Sequence, residues 1–212
     1  APTYASSGSF QNALTILAGA VHNKLIGSFT NAGATVSSLV TNSQALTMSG
    51  NLTVSTGAIL QSGGTATIQS DDTTSRLILG GAAATNIAFR VNNISDVLNI
   101  GTATNPVNIG SIQTGGLTKN GAGKLVFFGT NAQSGTTNIN EGIIELNGTN
   151  ARIAASGGTA TVIRQNASLD FNTSVAFATD PMVAALDGAG TIRNIGSADV
   201  TLIQTGAGTW MG

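Results

Sequence analysis

Short segments in which apolar and polar residues alternate recur along the whole chain. Residues 52–54 are Leu-Thr-Val, and residues 97–100 are Val-Leu-Asn-Ile. A period of two places the apolar side chains on one face of an extended strand. Segments of the same kind lie at residues 46–48, 65–68, 77–79, 107–109, 125–128 and 200–203. The pattern predicts an all-β chain with many very short strands.

The predicted strands are separated by pairs of small or polar residues, such as Gly63-Gly64 and Asn92-Asn93. These residue types supply the positive φ angles that tight turns require. Only the segment that begins at Asp180-Pro181 predicts a helical turn, because Asp caps helices and Pro favours the first helical position. Little of the chain is therefore expected to be helical.

Strand length favours one all-β architecture over the others. Strands in globular sheets usually run to about five or six residues, whereas solenoid coils combine short strands with thin aliphatic layers. We therefore predict that residues 1–212 form a single domain, a parallel β-helix of imperfect repeats. With roughly twenty residues per coil and a strand spacing of ~4.8 Å, the stack is expected to hold on the order of ten coils.

Composition supports a folded chain and excludes several partners. Charged residues make up 8% of the chain, but 41% is hydrophobic, which separates it from disordered sequences. Aromatic residues are 4%, so the core must consist of small aliphatic layers. A net charge of −1 with eight Lys and Arg gives no basic patch for nucleic acid or a membrane surface. No apolar run is long enough for a transmembrane helix.

Period-two spacing also predicts which residues of the central segment line the core. The expected inward residues are Leu117, Leu125, Phe127, Ile139, Ile143 and Leu146.

Residues 115–146 carry a recognisable order of motifs. Gly-Gly-Leu-Thr-Lys begins at Gly115, a Gly-Ala-Gly turn begins at Gly121, and an apolar strand, a Gly-Thr-Thr segment and a final Leu-ended strand follow. This order resembles the autotransporter passenger-associated β-strand repeat, over residues 115–147. The resemblance implies a right-handed β-helix passenger on a bacterial surface.

A second copy of the repeat is expected at residues 186–212, which end within a new repeat begun at residues 205–212. Residues 1–17 line up without gaps on residues 130–146, and so could complete that repeat. This alignment predicts end-to-end assembly, either between subunits or between periods of a longer array. The residues expected to take part are Tyr4, Phe10, Leu14, Leu17, Trp210 and Met211.

Candidate chemistry is sparse, and we predict no catalytic residue, no cofactor and no metal site. His22 is the single histidine and lies in a polar segment, so it is interpreted as a surface residue. The chain has no cysteine. Neighbouring residues on a strand point to opposite faces, which argues against Asp71 and Asp72 converging on one substrate.

Two further sets of charged residues could interact. Asp170, Asp180 and Asp187 could meet on adjacent coils, as carboxylates do in polysaccharide-processing enzymes. Lys119 and Lys124 flank a glycine turn near Glu141 and Glu145 and are expected to form solvated pairs between coils, each contributing under about 1 kcal/mol.

The expected function is that of a non-catalytic extracellular structural or adhesive β-solenoid, at the bacterial cell surface or outside the cell. Self-assembly head to tail into filaments is one version, with copies of the chain as partners. An adhesin passenger that binds a surface glycan or protein is the alternative. A polysaccharide-processing enzyme is the second alternative.

Overall fold

The computed structural model describes residues 3–4, 8–10, 14–15, 23–25, 29–31, 34–80, 86–110, 115–153, 160–178 and 181–212. Within these ranges the regular structure is β-strand and none of it is helical. The strands in chain order are β1 (Thr3–Tyr4), β2 (Gly8–Phe10), β3 (Leu14–Thr15), β4 (Asn23–Leu25), β5 (Phe29–Asn31), β6 (Ala34–Val40), β7 (Ala45–Met48), β8 (Leu52–Gln61), β9 (Thr65–Ser70), β10 (Arg76–Leu79), β11 (Ile87–Val91), β12 (Val97–Ile100), β13 (Asn108–Gly110), β14 (Leu117–Asn120), β15 (Lys124–Phe127), β16 (Thr137–Ile139), β17 (Gly142–Asn147), β18 (Ala160–Ile163), β19 (Ala167–Asn172), β20 (Met182–Val183), β21 (Ala185–Gly188), β22 (Thr191–Asn194) and β23 (Ile203–Gln204).

The strands pair in parallel between successive coils, as the sequence predicted. One sheet has nine strands in the order β2-β5-β7-β9-β12-β15-β17-β19-β22. A second sheet follows the path β1-β4-β6-β8-β11-β14-β16-β18-β21, with β3, β10 and β13 attached beside it. β20 and β23 form a short separate pair. This is a parallel β-helix, with nine layers in its nine-stranded sheet.

The twelve-stranded sheet covers two sides of the helix. The first half of β6 pairs with β3 and with the start of β8, while its second half pairs with β4 and with the end of β8. β8 likewise pairs with β10 at its start and with β11 at its end. We call the nine-stranded sheet the first face. The second face consists of β3, β10, β13 and the first halves of β6 and β8. The third face consists of the rest of the twelve-stranded sheet, from β1 to β21. From β2 to β14 the strands therefore follow the first, second and third faces in turn.

Coil length is less regular than predicted. Lys24 pairs with Val40 in the next coil, whereas Ala66 pairs with Leu98. The second of these coils contains twice as much chain as the first. The extra residues lie outside the paired strands, so the stacking of the first and third faces continues across coils of different length.

The core is a continuous stack of aliphatic side chains. In the first face, Leu98 pairs with Leu125, which pairs with Ile144, and all three are fully buried. Phe89 and Phe127 meet edge to face, with ring centroids 5.9 Å apart. A stack of this kind stabilises each coil through the coils above and below it.

Five of the six predicted core residues of the central segment are confirmed. Leu117, Leu125, Phe127, Ile139 and Leu146 are all at most 1% exposed.

The prediction for Ile143 was wrong. Ile143 pairs with Lys124 on the outer side of the first face, and Ile144 enters the core instead, beside Leu125. The reason is strand alternation, because Ile143 and Leu146 are three positions apart and cannot both point inward from one regular strand.

Two local predictions also differ from the structure. The chain after Pro181 is extended, since Met182–Val183 is a strand rather than the start of a helix, and Asp180 lies outside the described residues. Of the predicted strand 200–203, only its last residue lies in β23. Both differences result from the pairing of β20 with β23. Local sequence preference does not encode a pairing between distant strands.

Candidate functional surface

Charged residues of successive coils lie side by side on the outer side of the first face. Glu145, Asp170 and Arg193 pair in register on β17, β19 and β22. Their sequence neighbours, such as Ile144 and Leu169, point into the core, so these charged side chains point outward. Lys124 on β15 reaches Glu145 diagonally, since it is the register partner of Ile143. We call these four residues the charged ladder.

Short ion pairs connect the charged ladder. The Nζ of Lys124 lies 2.7 Å from Oε2 of Glu145. Arg193 binds Asp170 in a bidentate manner, with Nε 2.8 Å from Oδ1 and Nη2 2.5 Å from Oδ2. The side chains of Glu145 and Asp170 are only 4% and 1% exposed. The cations cover the carboxylates and are themselves partly solvated.

The remaining acceptors of Glu145 are also occupied. Its Oε1 accepts hydrogen bonds from the side-chain amides of Asn147 and Asn172, at 3.0 Å and 2.8 Å. Burial alone would raise the pKa of Glu145, but the hydrogen bonds from Lys124 and Asn172 outweigh it and hold the pKa below its usual 4.5. Hydrogen bonding to Asp170 raises the pKa of Arg193 in turn. Glu145 is therefore held in its ionised form.

This arrangement does not suit glycosidic cleavage. Glu145 and Asp170 are register partners on adjacent strands, and retaining glycosidases likewise hold two carboxyl groups close together, ~5 Å apart. A general acid in such a pair needs a raised pKa and access to substrate. Glu145 has a lowered pKa, and both carboxylates are covered by their cationic partners. The geometry is that of a ladder that links coils.

A shallow groove of about 280 Å³ runs beside the charged ladder, across several coils. Its floor includes Ile143 and Ser168, and Ile94, 86% exposed, stands at one end. Arg193 lines the opposite end. The groove thus has an apolar part and a polar, cationic part.

The glycine turn between the third and first faces is closed from inside by a lysine. Lys119 is fully buried, and its Nζ donates to the carbonyl oxygens of Asn120, Gly121 and Glu141 at 3.0, 2.6 and 3.2 Å. Oε2 of Glu141 accepts from the Gly121 amide at 3.1 Å. Burial lowers the pKa of Lys119 to about 8.

The expectation of a solvated Lys119 pair was therefore wrong. The strand position of Lys119, two residues after the inward Leu117, was the sequence signal for this burial.

The other predicted carboxylates do not converge. Asp187 lies on β21 of the third face and Asp170 on β19 of the first, while Asp180 lies outside the described residues. Asp72 closes a turn, because it accepts hydrogen bonds from Ser75 and Thr74 that lower its pKa to about 2. Asp71 is exposed. His22 also lies outside the described residues.

The residues expected at the chain ends are placed as follows. Tyr4 ends β1, Phe10 ends β2 and Leu14 begins β3, while Leu17 lies outside the described residues. Trp210 is partly buried against the core and bridges in parallel to Gly188 of the third face. Met211 is 75% exposed.

The alignment of residues 1–17 on residues 130–146 differs from the sheet order. It equates Gly8–Phe10 with β16 and Leu14 with the start of β17. In the structure β2 shares the first face with β17, and β3 pairs with β6 in the sheet that contains β16. Each segment therefore lies in the other sheet from the one that the alignment assigns.

The described ranges contain neither a metal-binding cluster nor a membrane-spanning helix. Within them, no group of three or more His, Cys, Asp or Glu side chains is arranged to hold a metal ion. In the same part of the chain, no helix has the length and apolar character needed to cross a membrane.

Comparison with known families identifies one segment. Residues 117–146 match the family model of the passenger-associated-transport-repeat, which agrees with the motifs in that segment. Over these residues the chain is similar to a repeat of autotransporter passengers, which suggests a passenger-type, surface or extracellular domain. No curated protein matches the chain significantly, and no solved structure does.

Proposed function

We propose that the chain is a non-catalytic structural segment of a bacterial surface passenger, a rigid rod whose coils act as a spacer. One observation carries this proposal: the residues of the matched repeat build the coil. Leu117 and Leu125 fill the core, Lys119 and Gly121 close the turn, and Glu145 joins the charged ladder. The repeat signature thus encodes stacking.

Electron microscopy and activity assays test this function together. The purified chain is expected to appear as a short rod, and its incubation with a panel of polysaccharides is expected to release no reducing ends. Turnover of any polysaccharide, abolished by Glu145→Gln or Asp170→Asn in a protein that still melts cooperatively, would establish the enzymatic alternative.

We further propose that the ends of the stack pair head to tail with another copy. Within the described residues, β22 and β23 each pair on one side only. The last coil also shows partly buried Ile192 and Trp210 and an Ile203 that is 37% exposed. A parallel edge with apolar side chains favours addition of another coil. In this proposed pairing β2 of one copy lies next to β22 of the other, because these two strands are the ends of the first face.

The oligomeric state tests this pairing. Analytical ultracentrifugation at increasing concentration is expected to show head-to-tail oligomers, lost in Phe10→Glu and in Trp210→Glu. Ile94→Glu is the matched control, since Ile94 is exposed on the side of the rod. A chain that stays monomeric at millimolar concentration contradicts the pairing and leaves the rod proposal intact.

Adhesion to a surface glycan is a second candidate function, favoured by the groove. Its apolar Ile94 and Ile143 could contact sugar rings while Asn166, Thr191 and Arg193 donate hydrogen bonds. A glycan array is the direct test. Binding that Ile143→Asp and Thr191→Ala both remove would support this role, and an array without signal would exclude it.

A further inference from the structure

Two buried polar side chains in the core carry an atom without a hydrogen-bond partner. These atoms are Oε1 of Gln133 and Oγ1 of Thr161, and both residues are fully buried. Buried polar groups almost always have a partner, either in the protein or in an ordered water. Two unsatisfied polar atoms in one core therefore require an explanation.

The two residues belong to one polar layer inside an otherwise aliphatic column. Leu117, Thr137, Thr161 and Leu186 are successive register partners in the third face. The two threonines are fully buried, as is Leu117, and Leu186 is 8% exposed. Neighbouring strands lie ~4.8 Å apart, so the two threonine side chains are stacked next to each other.

The amide of Gln133 lies between the two coils that carry these threonines. Its Nε2 donates to Oγ1 of Thr137 at 2.6 Å and to the carbonyl oxygen of Ile153 at 3.3 Å. Thr137 belongs to one coil, while Ile153 and Thr161 belong to the next. Oε1 is bonded to the same amide carbon as Nε2, so it lies in the same layer, near the hydroxyl of Thr137, whose register partner is Thr161.

We propose that this layer binds one internal water molecule, which donates to Oε1 of Gln133 and hydrogen-bonds Oγ1 of Thr161. The hydroxyl of Thr137, which already accepts from Gln133, supplies a third partner. Three hydrogen bonds are typical of a buried water. Water suits the site because it offers both donors and acceptors, whereas a cation would lie against the amide donor of Gln133.

A crystal structure at a resolution that shows ordered waters clearly provides the first test. The expected result is a single well-ordered water within hydrogen-bonding distance of Gln133 Oε1 and Thr161 Oγ1. A dry site, or a direct hydrogen bond between Gln133 and Thr161, overturns the proposal.

The sign of a stability change gives an independent test. If Thr161 binds a water, Thr161→Val removes a partner from it and the urea midpoint of unfolding falls, whereas Thr161→Ser keeps the hydroxyl, loses only a methyl group and lowers the midpoint less. If the site is dry, the Thr161 hydroxyl has no hydrogen-bond partner. The isosteric change Thr161→Val then removes an unsatisfied buried hydroxyl, and the midpoint rises. Thr137→Val is the control, expected to lower the midpoint in either case because Thr137 accepts from Gln133.

Discussion

Lys119 and Ile139 are register partners on neighbouring strands of the third face, and both side chains are fully buried. Phe89 is the partner on the other side. A lysine thus occupies a position in a core column that apolar residues fill in the adjacent coils. Its aliphatic stem packs in the column, and its ammonium reaches the carbonyl groups of the glycine turn.

This placement predicts a pH dependence of stability. The pKa of Lys119 is lowered from 10.5 to about 8 by burial, so between these values the unfolded chain binds more protons than the folded chain. Stability linked to this group must then rise with pH from about 8 to about 10.5. The gain relative to Lys119→Met is expected to reach about 3 kcal/mol.

Urea denaturation of both proteins between pH 7 and pH 11 measures this gain. Lys119→Arg provides a second comparison, because arginine stays charged throughout the range and gives no gain. Parallel stability curves for wild type and Lys119→Met would mean that the ammonium is not buried.

The inward position of Ile144 predicts a large loss of stability for a charged substitution there and a small one at its neighbour Ile143. Ile144→Asp buries an unpaired charge and is expected to cost about 3–5 kcal/mol. Ile143→Asp lies on the outer side, in register with Lys124, and is expected to change the unfolding free energy by less than about 1 kcal/mol. Chemical denaturation distinguishes them, and equal losses would contradict the register of β17.

The bidentate Arg193–Asp170 pair is expected to contribute a measurable coupling. Arg193 is 46% exposed and Asp170 only 1%, so water reaches Asp170 once the arginine is shortened. The coupling energy should therefore be about 1–2 kcal/mol, below that of a fully buried pair. A double-mutant cycle with Arg193→Gln and Asp170→Asn measures it, and additive effects of the two changes would show that the pair does not link coils.

Gly121 is expected to be irreplaceable in the turn. Its φ is +79°, and a Cβ there would lie 2.2 Å from the carbonyl oxygen of Val91. Gly121→Ala should cost at least about 2 kcal/mol. The matched control is Gly110→Ala, whose Cβ would meet only side-chain atoms of Arg76 and Ile78 at 3.4 Å or more. We expect the control to change the melting temperature little, and a similar fall for both variants would contradict the turn geometry.

The sequence by itself determined the architecture and the location of the repeat. Alternation in segments such as residues 97–100, with glycine and asparagine pairs between them, was sufficient to predict short parallel strands and an aliphatic core. It also placed Leu117, Leu125 and Phe127 correctly, because period-two alternation is a local property of each strand. The motifs of residues 115–146 predicted the family that the comparison then matched.

Only the tertiary structure decided which residues meet between coils. Coil length varies by a factor of two along the stack, so spacing in the sequence could not pair Glu145 with Asp170 or show that β2 joins the first face. The burial of Lys119 and Gln133 is likewise set by the coils that stack around them. A local pattern records the direction of a side chain along its own strand, whereas register between coils depends on the length of every turn in between.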